Sequence, residues 1–166
     1  MQKLNAFWES NVVACACQAD AYAAGCTRNA FVVPAGYGYI FYDAYFLDAL
    51  DSTTGSTLPA DFLMAHEFGH NIQLALGLNF PGKASKAIEL QADCLGGYYV
   101  GFQAKSGQVT SSEVISTFQF ACSIGDPYAS PWWAPGAHGV CVERTNALQQ
   151  GINGYIAGLL PGQACP

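Results

Sequence analysis

Leu58-Pro-Ala-Asp-Phe-Leu-Met-Ala-His66-Glu67-Phe68-Gly69-His70-Asn71-Ile72-Gln73 carries the punctuation of a helix at its start. Pro59 suits a first turn, where a missing N–H costs nothing, and Gly77 suits an end, so a helix is predicted from about Pro59 to Leu76. His66 and His70 stand at i and i+4, one turn apart on one face, so both imidazoles reach a single ion. Glu67 lies about 100° round the helix, clear of that ion yet able to take a proton from water beside it. A zinc ion lowers the pKa of a bound water to about 7, which is the chemistry needed to attack a peptide carbonyl. The competing description is an amphipathic helix with two incidental histidines, since so short a pattern also arises by chance.

A third ligand is available in Glu89-Leu-Gln-Ala-Asp93, on a helix predicted from about Ser85 to Lys105 and stopped by Gly107. Its two carboxylates face the same way. One can bind zinc while the other accepts the ring N–H of a histidine ligand, the partner that metal-binding imidazoles nearly always have. A solvated acidic stripe competes poorly, because the helix is otherwise rich in Ala, Gly and Tyr. With no Lys or Arg beside them, two buried carboxylates are costly without a cation, and one zinc per chain is the expected compensation.

The two segments together, His66-Glu67-Phe68-Gly69-His70-Asn71-Ile72-Gln73 and Glu89-Leu90-Gln91-Ala92-Asp93-Cys94, resemble the bacterial neutral zinc metallopeptidase family, relatives of the thermolysin-like gluzincins. The similarity extends to Leu4-Asn-Ala-Phe-Trp8, to the strand around Tyr39 to Asp43, to Ile124-Gly125-Asp126, and to His138-Gly139 followed by Glu143-Arg144. It implies a zincin-like fold in which His66, His70 and Glu89 bind zinc, Glu67 is the general base and Asp93 orients a histidine, His66 for preference. It also implies that His138 stabilises the oxyanion of the tetrahedral intermediate. His138 is expected to start a helix after a long loop, projecting into a cleft, where a helix N-terminus favours a neutral imidazole; a surface histidine at a helix start is the plainer alternative. The chain departs from the family in carrying Gly36-Tyr37-Gly38 where a cysteine precedes the strand, so the family's disulfide pairing does not transfer. No third histidine or methionine turn follows the motif, which excludes the metzincin arrangement.

Composition narrows the remaining classes. The chain has 166 residues with 12 Asp and Glu, 6 Lys and Arg, and 3 His, giving a net charge of −6. Charged residues are 11%, against roughly 25% in an ordinary soluble domain. The scattered basic residues form no patch to neutralise phosphates, so nucleic acid is not an expected partner, whereas a peptide or protein substrate is. No apolar run approaches the ~18 residues of a membrane span, and the N-terminus lacks a signal-peptide core. The expected setting is extracytoplasmic with any leader or anchor removed, or else cytosolic. Seven cysteines favour the first.

The rest of the chain reads as one domain over 1–166, without repeats or linkers. Leu4 to Val12 has helical spacing, and Phe31-Val-Val33 and Gly38 to Tyr42 favour strands joined by a Pro34-Ala-Gly36 turn. Asp51 to Thr57 reads as a polar loop, and Thr110-Ser-Ser-Glu113 as a capping box opening a helix to about Gly125. A last helix is predicted from about His138 to Gln150. Strands followed by helices indicate an α+β class, a small N-terminal sheet packed on the zinc helix. A strand near Tyr39 to Tyr42 at the sheet edge would let a peptide bind by adding a strand. Trp132 and Trp133 pack an irregular loop or line a pocket, and a Cys122–Cys141 disulfide would steady the loop bearing His138. Asn71 and Gln73 are open to either a substrate or a supporting role. The rival functions are a zinc protein without activity and a thiol redox protein using Cys15-x-Cys17.

Overall fold

The computed structural model describes residues 14–16, 30–33, 39–78, 85–128, 131 and 136–166. The helix expected over Leu4 to Val12, Cys17, Cys26, Trp132 and Trp133 lie outside the described residues. The described elements are β1 (Ala14–Ala16), β2 (Ala30–Val33), β3 (Tyr39–Tyr42), α1 (Ala44–Thr54), α2 (Leu58–Ala75), α3 (Ser85–Lys105), α4 (Ser111–Ser123), α5 (Cys141–Ile156) and α6 (Pro161–Ala164). A small sheet followed by helices is the α+β order.

The strand order is β1-β3-β2. β2 runs antiparallel to β3 with Phe31 opposite Phe41, their rings stacked at 5.6 Å, and β1 runs parallel to β3 with Cys15 opposite Phe41. β3 is therefore the central strand, so the condition for a peptide to add beside Tyr39 to Tyr42, an edge position, is not met. Its second neighbour comes from residues 14–16, and local patterning cannot announce a partner so distant in sequence. Ala30 and Ile40 turn inward into one core with Phe62, Met64 and Phe68, which seats the sheet on α2.

Asp43 opens α1 by accepting the backbone N–H groups of Tyr45 (3.0 Å) and Phe46 (3.2 Å), and Gly55 closes it at φ 67°. Asp51 to Thr54 is thus the last turn of a helix and not the start of a polar loop. The hydroxyls of Ser52, Thr53 and Thr54 donate to carbonyls four residues back, so a polar run continues the helix without unmet donors. α2 starts as expected with Pro59 in its first turn and is buried along nearly its whole length. Thr110 and Glu113 form the capping box of α4, and the second Glu113 oxygen accepts from Ser56 Oγ at 3.1 Å, tying the start of α4 to the start of α2.

α5 lies against α3 at backbone contact. A Cβ on Gly97 would strike the Leu148 carbonyl, and one on Gly151 would strike the Cys94 carbonyl. The helix begins at Cys141, three residues later than expected, and runs on to Ile156. Asp126 captures the N–H groups of His138 and Gly139, and Gly139 sits at φ 100°, outside helical geometry, so the chain stays open until Val140.

Two disulfides brace the helices. Cys122–Cys141 joins the end of α4 to the start of α5, and Cys94–Cys165 ties α3 to the C-terminal segment. Such bonds point to an oxidising, extracytoplasmic setting. Among the described residues no helix is long and apolar enough to cross a membrane.

Candidate metal centre

Gly69 lets α2 and α3 approach closely, since a Cβ there would stand 3.1 Å from Ala92 Cα and 3.3 Å from Leu95 Cβ. That approach brings the histidines of α2 over the carboxylates of α3. His66 Nε2 lies 3.0 Å from His70 Nε2 and 3.3 Å from Glu89 Oε2, and His70 Nε2 lies 3.5 Å from Glu89 Oε1. Around a tetrahedral zinc with ligand bonds near 2.0–2.1 Å, donor atoms stand about 3.3 Å apart. Three buried or half-buried donors of the right chemistry therefore gather in one place, one ligand atom from each residue within 4.8 Å of the others, with the two histidines facing different oxygens of Glu89. Two imidazoles and one carboxylate leave a fourth position open, as in catalytic zinc sites.

The other ring nitrogens are held as well. His66 Nδ1 is 2.8 Å from Asp93 Oδ1, and His70 Nδ1 is 2.8 Å from Gln73 Oε1. Each contact turns its Nε2 toward the common point. Asp93 has a second partner that corrects the expectation of carboxylates compensated by metal alone. Arg144 Nε donates to Asp93 Oδ2 at 2.8 Å and Nη2 to Oδ1 at 2.7 Å. The guanidinium comes from 51 residues away in sequence, on α5. Lys86 is close in sequence to Glu89 but pairs with Glu143 at 2.6 Å.

The electrostatics of the metal-free site follow from these contacts. Burial alone would lower the His66 pKa, but hydrogen bonds to Asp93 and Glu89 and the surrounding negative charge push it up to about 10. Burial would raise Glu89, yet the hydrogen bond from His66 and the neighbouring imidazoles hold it well below the usual carboxylate range. Glu67 makes no such bond. Burial, opposed by the two histidines, pushes its pKa up to about 7, where a carboxylate is suited to exchange protons at neutral pH.

His138 stands apart from this cluster. Its side chain is half exposed, its Nδ1 lies 3.6 Å from Asp126 Oδ1, and it makes no hydrogen bond or ion pair with His66, Glu67, His70 or Glu89. Its loop packs on α3, where a Cβ on Gly139 would come 2.9 Å from Leu90 Cδ2. Asp126 Oδ2 sets the loop by accepting from His138 N (2.7 Å) and Gly139 N (2.9 Å).

Gln73, Arg144 and Asp126 are the residues whose part in the site was not assigned from the sequence. Only Gln73, three residues after His70 on the same face, carried a local signal. Asn71, a turn beyond Glu67, is buried with neither amide atom hydrogen-bonded. No family model, curated protein or solved structure matches the chain, so its chemistry rests on the geometry of this centre.

Proposed function

We propose that the chain is a zinc-dependent peptidase of the gluzincin kind its motifs resemble, with a zincin-like fold. His66, His70 and Glu89 would hold one zinc ion. The observation that supports this most is the gathering of two imidazoles and one carboxylate, with one donor atom from each within 4.8 Å of the others. A buried carboxyl poised near neutrality stands beside it in the chain, at Glu67.

Zinc, when bound, supplies a Lewis acid that polarises a carbonyl and acidifies water. Glu67 takes a proton from the attacking water and returns it to the leaving amine nitrogen. Asp93, gripped by Arg144, keeps the His66 ring oriented. His138, on a loop set by Asp126, would donate to the oxyanion of a bound substrate. The substrate class is a peptide or protein chain.

A zinc protein without catalysis is the second reading, favoured by the outward, half-exposed position of His138. Glu67→Gln separates the two. The peptidase reading expects one zinc per chain in both forms and cleavage of a mixed peptide library by the wild type alone, abolished by chelator. Equal cleavage by both forms, or no metal after gentle purification, would overturn it.

A further inference from the structure

Gln73 is 1% exposed, and every polar atom of its side chain is engaged. Its Nε2 stands 2.8 Å from Ile88 O and 2.9 Å from Gln91 Oε1, while its Oε1 faces His70 Nδ1 at 2.8 Å. Gln91 Nε2 in turn lies 3.3 Å from Cys165 O. The orientation of both amides follows from the ends of this chain of contacts, because a backbone carbonyl only accepts. Ile88 O demands the Gln73 nitrogen. Cys165 O demands the Gln91 nitrogen, which leaves the Gln91 oxygen to receive the second Gln73 hydrogen. Gln73 Oε1 then faces His70 with nothing to donate, so the hydrogen between them belongs to His70 Nδ1.

We propose that Gln73 is the positioning residue that holds His70 in its Nδ1–H tautomer, and that the C-terminal segment is the outer support of the metal centre through Cys165 O and Gln91. Its value for metal binding rests on the zinc reading above; the tautomer does not. The supporting acceptor is well anchored. The segment is joined to α3 by Cys94–Cys165, Gln150 Nε2 donates to Ala164 O at 2.7 Å, and Tyr98 Oη donates to Leu159 O at 2.7 Å. The two histidines are thus supported by different chemistry, His66 by a charged pair and His70 by neutral amides that add no negative charge.

The test is the imidazole nitrogen spectrum of the 15N-labelled, metal-free protein, followed by zinc titration against a chromophoric chelator. Wild-type His70 is expected as the Nδ1–H tautomer. Gln73→Met should lose that tautomer and weaken zinc binding roughly 10- to 100-fold. Gln91→Met should weaken zinc binding by a smaller factor. An Nε2–H tautomer in the wild type overturns the proposal, and so does a Gln73→Met protein with wild-type spectrum and affinity. Should Gln73→Met fail to fold, the wild-type spectrum still decides. A wild type that shows Nδ1–H but binds no zinc would support this assignment while refuting the peptidase reading.

Discussion

Arg144 grips both oxygens of Asp93, Nε to Oδ2 at 2.8 Å and Nη2 to Oδ1 at 2.7 Å, in a site where the carboxylate is wholly buried. The same Oδ1 faces His66 Nδ1 at 2.8 Å, so one carboxylate joins α5, α3 and α2. A third guanidinium nitrogen donates to Ile124 O at 3.1 Å, which also ties in the end of α4.

Removing Arg144 leaves a buried charge unpaired. Arg144→Met should destabilise the fold by about 3–5 kcal/mol in urea unfolding. Arg144→Lys should recover only part of this, since an ammonium lacks the two-pronged geometry. A methionine variant within about 1 kcal/mol of wild type would show that the pair contributes little.

Asp93 also makes stability depend on pH. Burial would raise its pKa, but the hydrogen bond and charge of His66 and those of Arg144 hold it below its ordinary value. A carboxyl depressed in the folded state contributes stability that is complete above its unfolded pKa, about 3.9, and is lost as pH falls through the folded value. Urea midpoints measured from neutrality into acid should fall for the metal-free wild type and fall less steeply for Asp93→Asn. Parallel curves would exclude Asp93 as a source of the acid sensitivity.

A metal ion entering the centre would displace a proton. With the His66 pKa pushed up to about 10, the metal-free site carries its proton at neutral pH, on the nitrogen that would bind the ion. Zinc binding near pH 8 should release about one proton per ion from His66, and affinity should rise with pH. Calorimetry in two buffers of different ionisation enthalpy reads the number directly. Identical heats in both buffers would contradict a protonated His66.

His138→Ala should lower kcat on the order of a hundredfold with KM little changed, if the imidazole meets the oxyanion in the transition state. Asp126→Ala releases the N–H groups of His138 and Gly139 and should lower kcat in the same direction at unchanged zinc content. A wild-type kcat in His138→Ala would remove that residue from the chemistry.

What was legible in the sequence was whatever a helix repeats locally. The spacing of His66 and His70, the spacing of Glu89 and Asp93, and the capping box at Thr110 all survive as geometry. Contacts between distant segments were not legible. Arg144 reaches Asp93 across 51 residues, and β3 becomes central because β1 returns from far back in the chain. The C-terminal end of α1 looks like a polar loop in sequence, since Ser and Thr ordinarily disfavour helix interiors. Here their hydroxyls bond back to the helix itself. The start of α5 was misplaced by three residues because the capture of two N–H groups by Asp126 is invisible without the fold.

The contact of Gly97 and Gly151 with the facing backbone gives the absence of side chains a role in the chemistry. α3 carries Glu89 and Asp93, and α5 carries Arg144, so the separation of these two helices sets the reach of the guanidinium. A methyl group at either glycine would push them apart and move Arg144 off its carboxylate without touching any ligand. Two positions with no functional group are thereby among the least free to vary, and an inventory of reactive residues would pass over both.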